Sequence, residues 1–287
     1  MSTLYANTPI QYVEVEGTRL AYREFGDRTG VPLVLFSRFV GSIDDWDPVV
    51  IERLAAQRHV IVFDNAGVGF SDGKVGADIA EMAGTAIRLI EELGISQADL
   101  LGFLMGGYIA ERLTLTRPDL VRYLILVGTG AGAGEGAVLQ SPEVEEWTKM
   151  ARSPQETYEA MWFSSSETGK AATANYLGRI YTPERPERAD VTDEAGVALR
   201  KAVNDWWAGK GSTLGELHNI KQPTLIVSGV RDAMVPTPNS FLMAQKITNA
   251  QLIIYPDSGH GSLFQYPEVF SRAVLDFIAT QESGGLR

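Results

Sequence analysis

Cysteine is absent from this chain of 287 residues. Its absence excludes disulfides, thiol catalysis and thiolate metal sites. Histidine is also scarce, because His59, His218 and His260 are the three present, and their wide separation matches no metal-ligand spacing. The sequence therefore predicts neither a bound metal nor a cofactor.

Basic residues are outnumbered as well. The chain has 25 lysines and arginines against 36 aspartates and glutamates, a formal net charge of −11. Nucleic acids and anionic membranes are bound through basic patches, so neither is expected as a partner. No run approaches the ~18 apolar residues of a membrane span, and the first residues lack the basic and apolar regions of a signal peptide. A cytoplasmic protein acting on a small molecule is the resulting expectation.

Short apolar runs alternate with helical patterns along most of the chain. Strands are predicted at 11–15, 20–24, 32–36, 60–63, 99–103, 121–127, 224–228 and 251–255, the first two as a hairpin. Helices are predicted at 77–93, 105–116, 238–247 and 267–279. This alternation favours an α/β fold with a mostly parallel sheet covered by helices on both faces.

The alternation stops between two of these strands. From residue 130 to residue 215 the sequence is helical and aromatic, without a buried-strand run. The glycine-rich stretch Gly128–Gly136 that leads into it lacks the Gly-Lys-Ser/Thr of a phosphate loop and is interpreted as a hinge. Such an insertion predicts a cap over the carboxyl edge of the sheet, where ligands bind in open α/β sheets. We predict a core of 1–130 and 215–287 and a helical cap of 131–214.

One strand runs into a Gly-x-Leu-x-Gly turn and then into a helix that starts at Met105. This is the layout of a nucleophile elbow, in which a sharp turn lifts one side chain above the sheet. The flanking glycines suit a turn where backbone segments approach closely. The tip is normally Ser, sometimes Cys or Asp, but here it is Leu104, which has no atom that can attack a carbonyl.

Two late loops complete the pattern. Gly229–Asp232 follows a buried strand, and Asp257–Gly261 reads Asp-Ser-Gly-His-Gly. Together with the elbow and the insertion, these loops resemble the α/β-hydrolase superfamily, whose order is nucleophile, acid, histidine. The resemblance covers nearly the whole chain. It implies the α/β-hydrolase fold, with Asp232 as the acid and His260 as the catalytic histidine.

Two other segments resemble the family with changes. Residues 64–72 are similar to D-x-R-G-x-G-x-S, with Ala66 in the place of Arg, and Ser37-Arg38 stands where the family has His-Gly. By resemblance, the oxyanion-hole donors are the backbone N–H groups of Phe39 and Met105, which side-chain changes need not abolish. Leu104 and Ser37-Arg38 are departures at two separate segments that converge on one pocket, which favours a naturally divergent site over a single engineered change.

Plain structural roles compete with the functional ones. A loop histidine is often structural, but its Gly-His-Gly setting and the available Asp232 favour a functional role for His260, whereas none is expected for His59 or His218. Leu104 fills the space of a lost nucleophile, forms the floor of a pocket in which His260 acts as a base, or does both. Helix capping explains the acidic run Asp44, Asp45 and Asp47 better than catalysis does.

Three side chains are predicted to contact substrate: Ser37, Arg38 and Trp162. For Trp162 the alternative is packing against the core. Arg38 suggests an anionic or carbonyl-bearing substrate, and Ser37 as a substitute nucleophile is the minor alternative. The exposed cap surface is compatible with a homodimer.

Three functions fit these residues. The first is an enzyme without a covalent intermediate, in which a His260–Asp232 dyad is the general base on a small apolar carbonyl compound. Its reactions include lactone or activated-ester hydrolysis by water, and lyase, cyclase or cofactor-free oxygenation chemistry. The second is a non-catalytic ligand-binding protein, which has no need for the dyad. The third is a Ser→Leu variant of an ordinary serine esterase, against which the unusual Ser37-Arg38 argues.

Overall fold

The computed structural model describes residues 4–150, 153–182, 189 and 191–285. Within them, eight strands form one sheet: β1 Gln11–Val15, β2 Thr18–Phe25, β3 Leu33–Phe36, β4 Val60–Phe63, β5 Ala98–Phe103, β6 Val121–Val127, β7 Thr224–Gly229 and β8 Ala250–Tyr255. Their order across the sheet is β1-β2-β4-β3-β5-β6-β7-β8. β2 pairs antiparallel with β1 and β4, and every other pair is parallel. The prediction of a mostly parallel α/β sheet is therefore confirmed.

The helices follow the strands in the predicted alternation. They are α1 Leu4–Asn7, α2 Pro48–Ala55, α3 Ile79–Glu92, α4 Met105–Thr116, α5 Pro142–Met150, α6 Pro154–Met161, α7 Glu167–Ile180, α8 Asp193–Trp207, α9 Pro238–Lys246, α10 Ser262–Gln265 and α11 Pro267–Glu282. Two 3₁₀ helices, Ile43–Asp45 and Leu217–Asn219, lie in loops. No helix in the described part of the chain is both long and apolar enough to cross a membrane.

The central strands explain why the apolar runs are continuous. Every residue of β3, β4 and β5 is buried, so both faces of these strands are covered. A strand buried on both faces gains hydrophobic stabilisation at each position and does not alternate with polar residues. α2 packs against α11, and α3 packs against α4, which in turn packs against β5.

The hairpin and the final helices differ from the prediction in their bounds. β2 begins at Thr18, because Glu16 and Gly17 have positive φ angles of 49° and 79° and turn the chain in two residues. α11 continues to Glu282. The four-residue α10 was not predicted, because a single helical turn carries no periodic signal.

Helices α5–α8 lie between β6 and β7, and no described residue between those strands belongs to a strand. These helices contact the loops that follow the carboxyl ends of the sheet. The Gly261 N–H donates to the Trp162 carbonyl at 2.6 Å, and the Ser166 hydroxyl donates to Asp257 at 2.7 Å. The insertion therefore contacts the loop that carries His260. The predicted cap boundaries stay a prediction.

The acidic run before α2 forms two caps. Asp45 accepts from the Ser42 N–H at 2.8 Å in a capping box, and Asp47 accepts from the Val49 N–H at 2.9 Å as the N-cap of α2. Asp44 instead lies 3.5 Å from a guanidinium nitrogen of Arg23. The contacts therefore agree with helix capping for Asp45 and Asp47, whereas Asp44 forms an ion pair with Arg23.

Candidate active site

The turn between β5 and α4 keeps the shape of an elbow with leucine at its tip. Leu104 has φ 52° and ψ −115°, a conformation rare for a residue with a bulky side chain. Its N–H donates to the Val127 carbonyl at 3.1 Å, and its carbonyl accepts from the Thr129 hydroxyl at 2.7 Å. A Cβ on Gly106 would lie 2.1 Å from the Phe36 carbonyl oxygen, so glycine is required there. Backbone contacts and the Thr129 hydroxyl therefore hold the elbow, without a hydrogen bond from the side chain at its tip.

The structure brings His260 and Asp232 together at the ends of neighbouring strands. His260 Nδ1 lies 2.8 Å from Asp232 Oδ2, and both side chains are fully buried. The other oxygen of Asp232 accepts from the Met234 and Val235 N–H groups at 3.0 and 2.9 Å. Because Asp232 acts as an acceptor at both oxygens, we assign the shared proton to Nδ1.

In the neutral ring with Nδ1 protonated, the second ring nitrogen of His260 is an acceptor. His260 Nε2 is buried and has no hydrogen-bond partner among the described residues. The ring lies 5.0 Å from the Phe103 ring and 6.0 Å from the Trp162 indole, measured between centroids. In that tautomer, Nε2 has a lone pair and no proton donor among the described residues.

The loop after β3 is shaped by its own arginine. Arg38 Nη1 donates to the carbonyls of Phe39 and Val40 at 2.9 and 3.0 Å. Val40 has φ 50°, which is strained for a β-branched residue. Among the described residues, neither the Phe39 amide nor the Met105 amide has an acceptor. Both predicted oxyanion donors are thus unengaged.

The rest of the Arg38 guanidinium links this loop to the insertion. Nη2 lies 3.3 Å from Asp45 Oδ1 and 3.2 Å from the Tyr158 hydroxyl, and the guanidinium carbon lies 4.9 Å from the Trp162 ring centre. The Ser37 hydroxyl accepts from the Trp46 indole at 3.1 Å. These contacts give Arg38 and Ser37 structural partners in the closed site.

The space beside these groups is small. A cavity of about 10 Å³ is lined by Ser37, Arg38, Ser42, Asp45, Trp46, Phe103 and Phe264. This volume is about the minimum for one water molecule. A substrate therefore requires part of the wall to move.

The other histidines lie apart from this site. His59 Nε2 is 3.4 Å from Glu24, and burial lowers the pKa of His59, which outweighs the opposing effect of that carboxylate. His218 is exposed after α8. Among the described residues, no cluster of three or more His, Cys, Asp or Glu side chains is suited to a metal.

The segment with Ala66 in place of arginine supports the loop before α2. Asp64 accepts from the Ile43 and Phe70 N–H groups at 2.7 and 2.9 Å. Burial raises the pKa of Asp64 to about 7, partly opposed by these two hydrogen bonds. A Cβ on Gly69 would lie 2.2 Å from the Asp64 carboxylate, so this tight turn requires glycine.

The alpha/beta hydrolase fold family model matches residues 31–267, most of the chain. The chain belongs to this family. An alpha/beta hydrolase fold protein from Chitinophaga pinensis superposes with a TM-score of 0.86 and is 35% identical, with 96% of this chain and 98% of that one covered. The recognised resemblance and the fold are thereby confirmed.

Two sequence relatives carry enzyme names. The 2-hydroxy-6-oxononadienedioate/2-hydroxy-6-oxononatrienedioate hydrolase of Klebsiella pneumoniae is 31% identical, over 81% of this chain and 79% of its own. A protein of Azorhizobium caulinodans that carries the name of carbamate hydrolase RutD is 28% identical, over 86% of this chain and 91% of its own. This chain is therefore a member of a family of hydrolase enzymes.

Sequence reasoning missed three side chains that close the site: Asp45, Tyr158 and Phe264. Each contacts the cavity or its wall from a different segment. The capping pattern explained Asp45 without indicating its partner Arg38, and no local signal marked Tyr158 or Phe264. Their roles arise from contacts between segments far apart in sequence.

Proposed function

We propose that this chain catalyses a reaction without an acyl-enzyme, with His260 as the general base and Asp232 as the group that orients it. The observation that carries the proposal is that His260 Nε2 has no hydrogen-bond partner in the described part of the chain, while the opposite nitrogen is fixed by Asp232 at 2.8 Å. A ring held in one tautomer with a free lone pair is poised to accept a proton.

The substrate is a small carbonyl compound, and water is the nucleophile in the leading reaction. Nε2 takes a proton from water as the oxygen attacks the carbonyl carbon, and Asp232 stabilises the imidazolium that forms. The amides of Phe39 and Met105 donate to the oxyanion. When the intermediate collapses, the departing alkoxide takes the proton back from His260.

The expected rate enhancement follows from these two devices. General-base catalysis contributes about 10²–10⁴-fold, and one oxyanion donor contributes about 10²–10³-fold. Such factors suffice for lactones and activated esters, whose carbonyls are reactive. The same base can remove an acidic C–H proton, which extends the proposal to lyase or cyclase chemistry. The Klebsiella relative is named for a substrate with an oxo group, which agrees with a carbonyl substrate here.

The experiment is turnover of a panel of activated esters and lactones, followed by mass spectrometry of substrate and product. The wild type is compared with His260→Gln and with His218→Gln, a matched change at an exposed histidine. We expect His260→Gln to lower kcat by at least about 10²-fold and His218→Gln to leave it unchanged. Equal turnover in all three proteins contradicts the base assignment. Binding without turnover supports a ligand-binding protein instead.

A further inference from the structure

A groove of about 570 Å³ lies between α7 of the insertion and the α10–α11 segment of the core. Its walls include Ala172 and Arg179 of α7, and Phe264 and Gln265 of α10. Phe264 also lines the cavity of about 10 Å³ beside Trp46 and Phe103. One side chain is therefore common to the outer groove and to the inner cavity, and Phe103, another wall of that cavity, has its ring centre 5.0 Å from that of His260.

The ring of Phe264 is held by aromatic contacts. It stacks on Tyr176 at 4.6 Å and on Trp162 at 5.8 Å, and it meets Phe103 edge-on at 5.5 Å, measured between ring centres. Its backbone is separately fixed, because its N–H donates to the Gly261 carbonyl at 2.9 Å. The ring can thus turn about its side-chain torsions without breaking a hydrogen bond.

The neighbouring walls of the cavity are tied more firmly. Arg38 is held by two carbonyls and by Asp45, and the Trp46 indole donates to Ser37. Phe103 belongs to the buried strand β5. The Phe264 side chain is held by packing alone, so its displacement breaks no hydrogen bond, whereas displacing these other walls breaks hydrogen bonds or strand pairing.

We propose that this groove is the entrance through which substrate reaches His260, and that Phe264 is its gate and limits substrate size. The substrate is the carbonyl compound of the proposed function, on which this inference rests. Each charged side chain lining the groove has an opposite partner: Arg179 with Asp47 at 2.6 Å, Glu167 with Lys170 at 3.1 Å and Glu268 with Arg53 at 3.4 Å. The groove therefore favours neutral molecules.

The test is chemical labelling of His260 by diethyl pyrocarbonate, which needs no turnover. Peptide mass spectrometry follows modification of His260, with the exposed His218 as the internal reference in the same digest. Phe264→Ala is expected to raise the labelling rate of His260 by about tenfold or more, since reactivity scales with the open population. Phe277→Ala is the matched control, because Phe277 is a buried phenylalanine of α11 that packs on Tyr123 and lines neither space.

A second variant tests the route itself. Ala172→Trp places a bulky ring in the groove from α7, and it is expected to slow labelling of His260 in both the wild-type and the Phe264→Ala backgrounds. The proposed entrance is overturned if Phe264→Ala leaves the labelling rate of His260 unchanged, or if Ala172→Trp does not slow that labelling. If the labelling results hold but no ester or lactone is turned over, the proposed function fails while the entrance stands.

Discussion

Two halves of the site are built in different ways. The acid–base half, Asp232 and His260, is fixed by side-chain hydrogen bonds of 2.8 to 3.0 Å. In the elbow half, which is Leu104 with the loop 37–40, Leu104 at φ 52° and Val40 at φ 50° are held by groups other than the tip side chain, namely the Val127 carbonyl, the Thr129 hydroxyl and the Arg38 guanidinium. An elbow held in this way keeps its shape when the side chain at the tip changes. The chemistry of the elbow is therefore separable from its geometry, whereas that of the dyad is not.

The largest effect is expected where side chains hold the geometry. In Asp232→Asn, the amide oxygen still accepts from Met234 and Val235, but the NH₂ group faces His260 Nδ1. The proton then moves to Nε2, and the base is lost. We expect kcat to fall by about 10⁴-fold, as it does when a triad aspartate is replaced by asparagine.

The measurement combines kinetics with the ¹⁵N chemical shifts of His260, which report the tautomer without turnover. Circular dichroism checks that the fold is intact. Unchanged tautomer and unchanged kcat would contradict the role of Asp232.

The opposite change tests the elbow half. Leu104→Ser places a hydroxyl on a turn whose backbone already has the required shape, and a serine beside a histidine base is an activated nucleophile. We expect a covalent adduct with a fluorophosphonate reagent, and ester hydrolysis raised by about 10²-fold or more because a covalent route becomes available.

Intact-protein mass spectrometry detects this adduct directly. Leu104→Ala is the control, since it frees the same space without supplying a nucleophile. A folded Leu104→Ser protein that forms no adduct would mean that the elbow half is not poised for catalysis.

A smaller effect concerns the helix that follows the elbow. Glu111 of α4 is fully buried, and its carboxyl accepts from the Thr213 hydroxyl. Burial raises the pKa of Glu111 to about 8, although the Thr213 hydrogen bond opposes this. Between pH 4.5 and about pH 8, Glu111 is ionised in the unfolded chain but still protonated in the folded protein. The folded state therefore binds more protons, and the free energy of unfolding falls as pH rises.

Glu111→Gln is expected to remove this slope and to stabilise the protein at pH 8 by on the order of 3 kcal/mol relative to its effect at pH 5. Urea unfolding at several pH values between 5 and 8 measures it. Glu92→Gln, an exposed change at the end of α3, is the control. Parallel pH profiles for wild type and Glu111→Gln would refute the raised pKa.

The smallest functional effect is expected for Ser37→Ala in the elbow half. Its hydroxyl accepts from the Trp46 indole, so removal leaves a buried donor unpaired and costs about 1–3 kcal/mol of stability. Turnover is expected to change less than about threefold, because loss of the hydrogen bond between Trp46 and Ser37 leaves the proposed base, His260, in place. A large loss of kcat with normal substrate binding would restore Ser37 as a nucleophile.

Local patterns predicted much of the fold. The apolar runs at Val60–Phe63 and Val121–Val127 and the helix Met105–Thr116 have the bounds that the sequence predicts. Each depends on short-range burial or periodicity, which a sequence displays directly. The bounds were less accurate where caps and turns decide them, as at Thr18 and Glu282.

The approach of Asp232 to His260 was also foreseeable, because their loops follow the adjacent parallel strands β7 and β8. The hydrogen bonds from the Arg38 guanidinium to the carbonyls of its own loop were not foreseeable. Neither was the pairing of Asp47 with Arg179, whose positions are separated by 132 residues. The ion-pair partner of a charged side chain depends on which distant segment packs beside it, and no periodic pattern in the sequence predicts that neighbour.

The sequence by itself determined the α/β architecture and the lack of a hydroxyl or thiol at the elbow tip, because alternating burial and residue chemistry are local properties. Tertiary structure alone decided that His260 Nε2 has no partner among the described residues and that Phe264 lines both the outer groove and the inner cavity. It also decided that Glu111 is buried with a raised pKa. These features depend on which distant segments exclude water from a group, and burial of that kind exists only once the chain has packed.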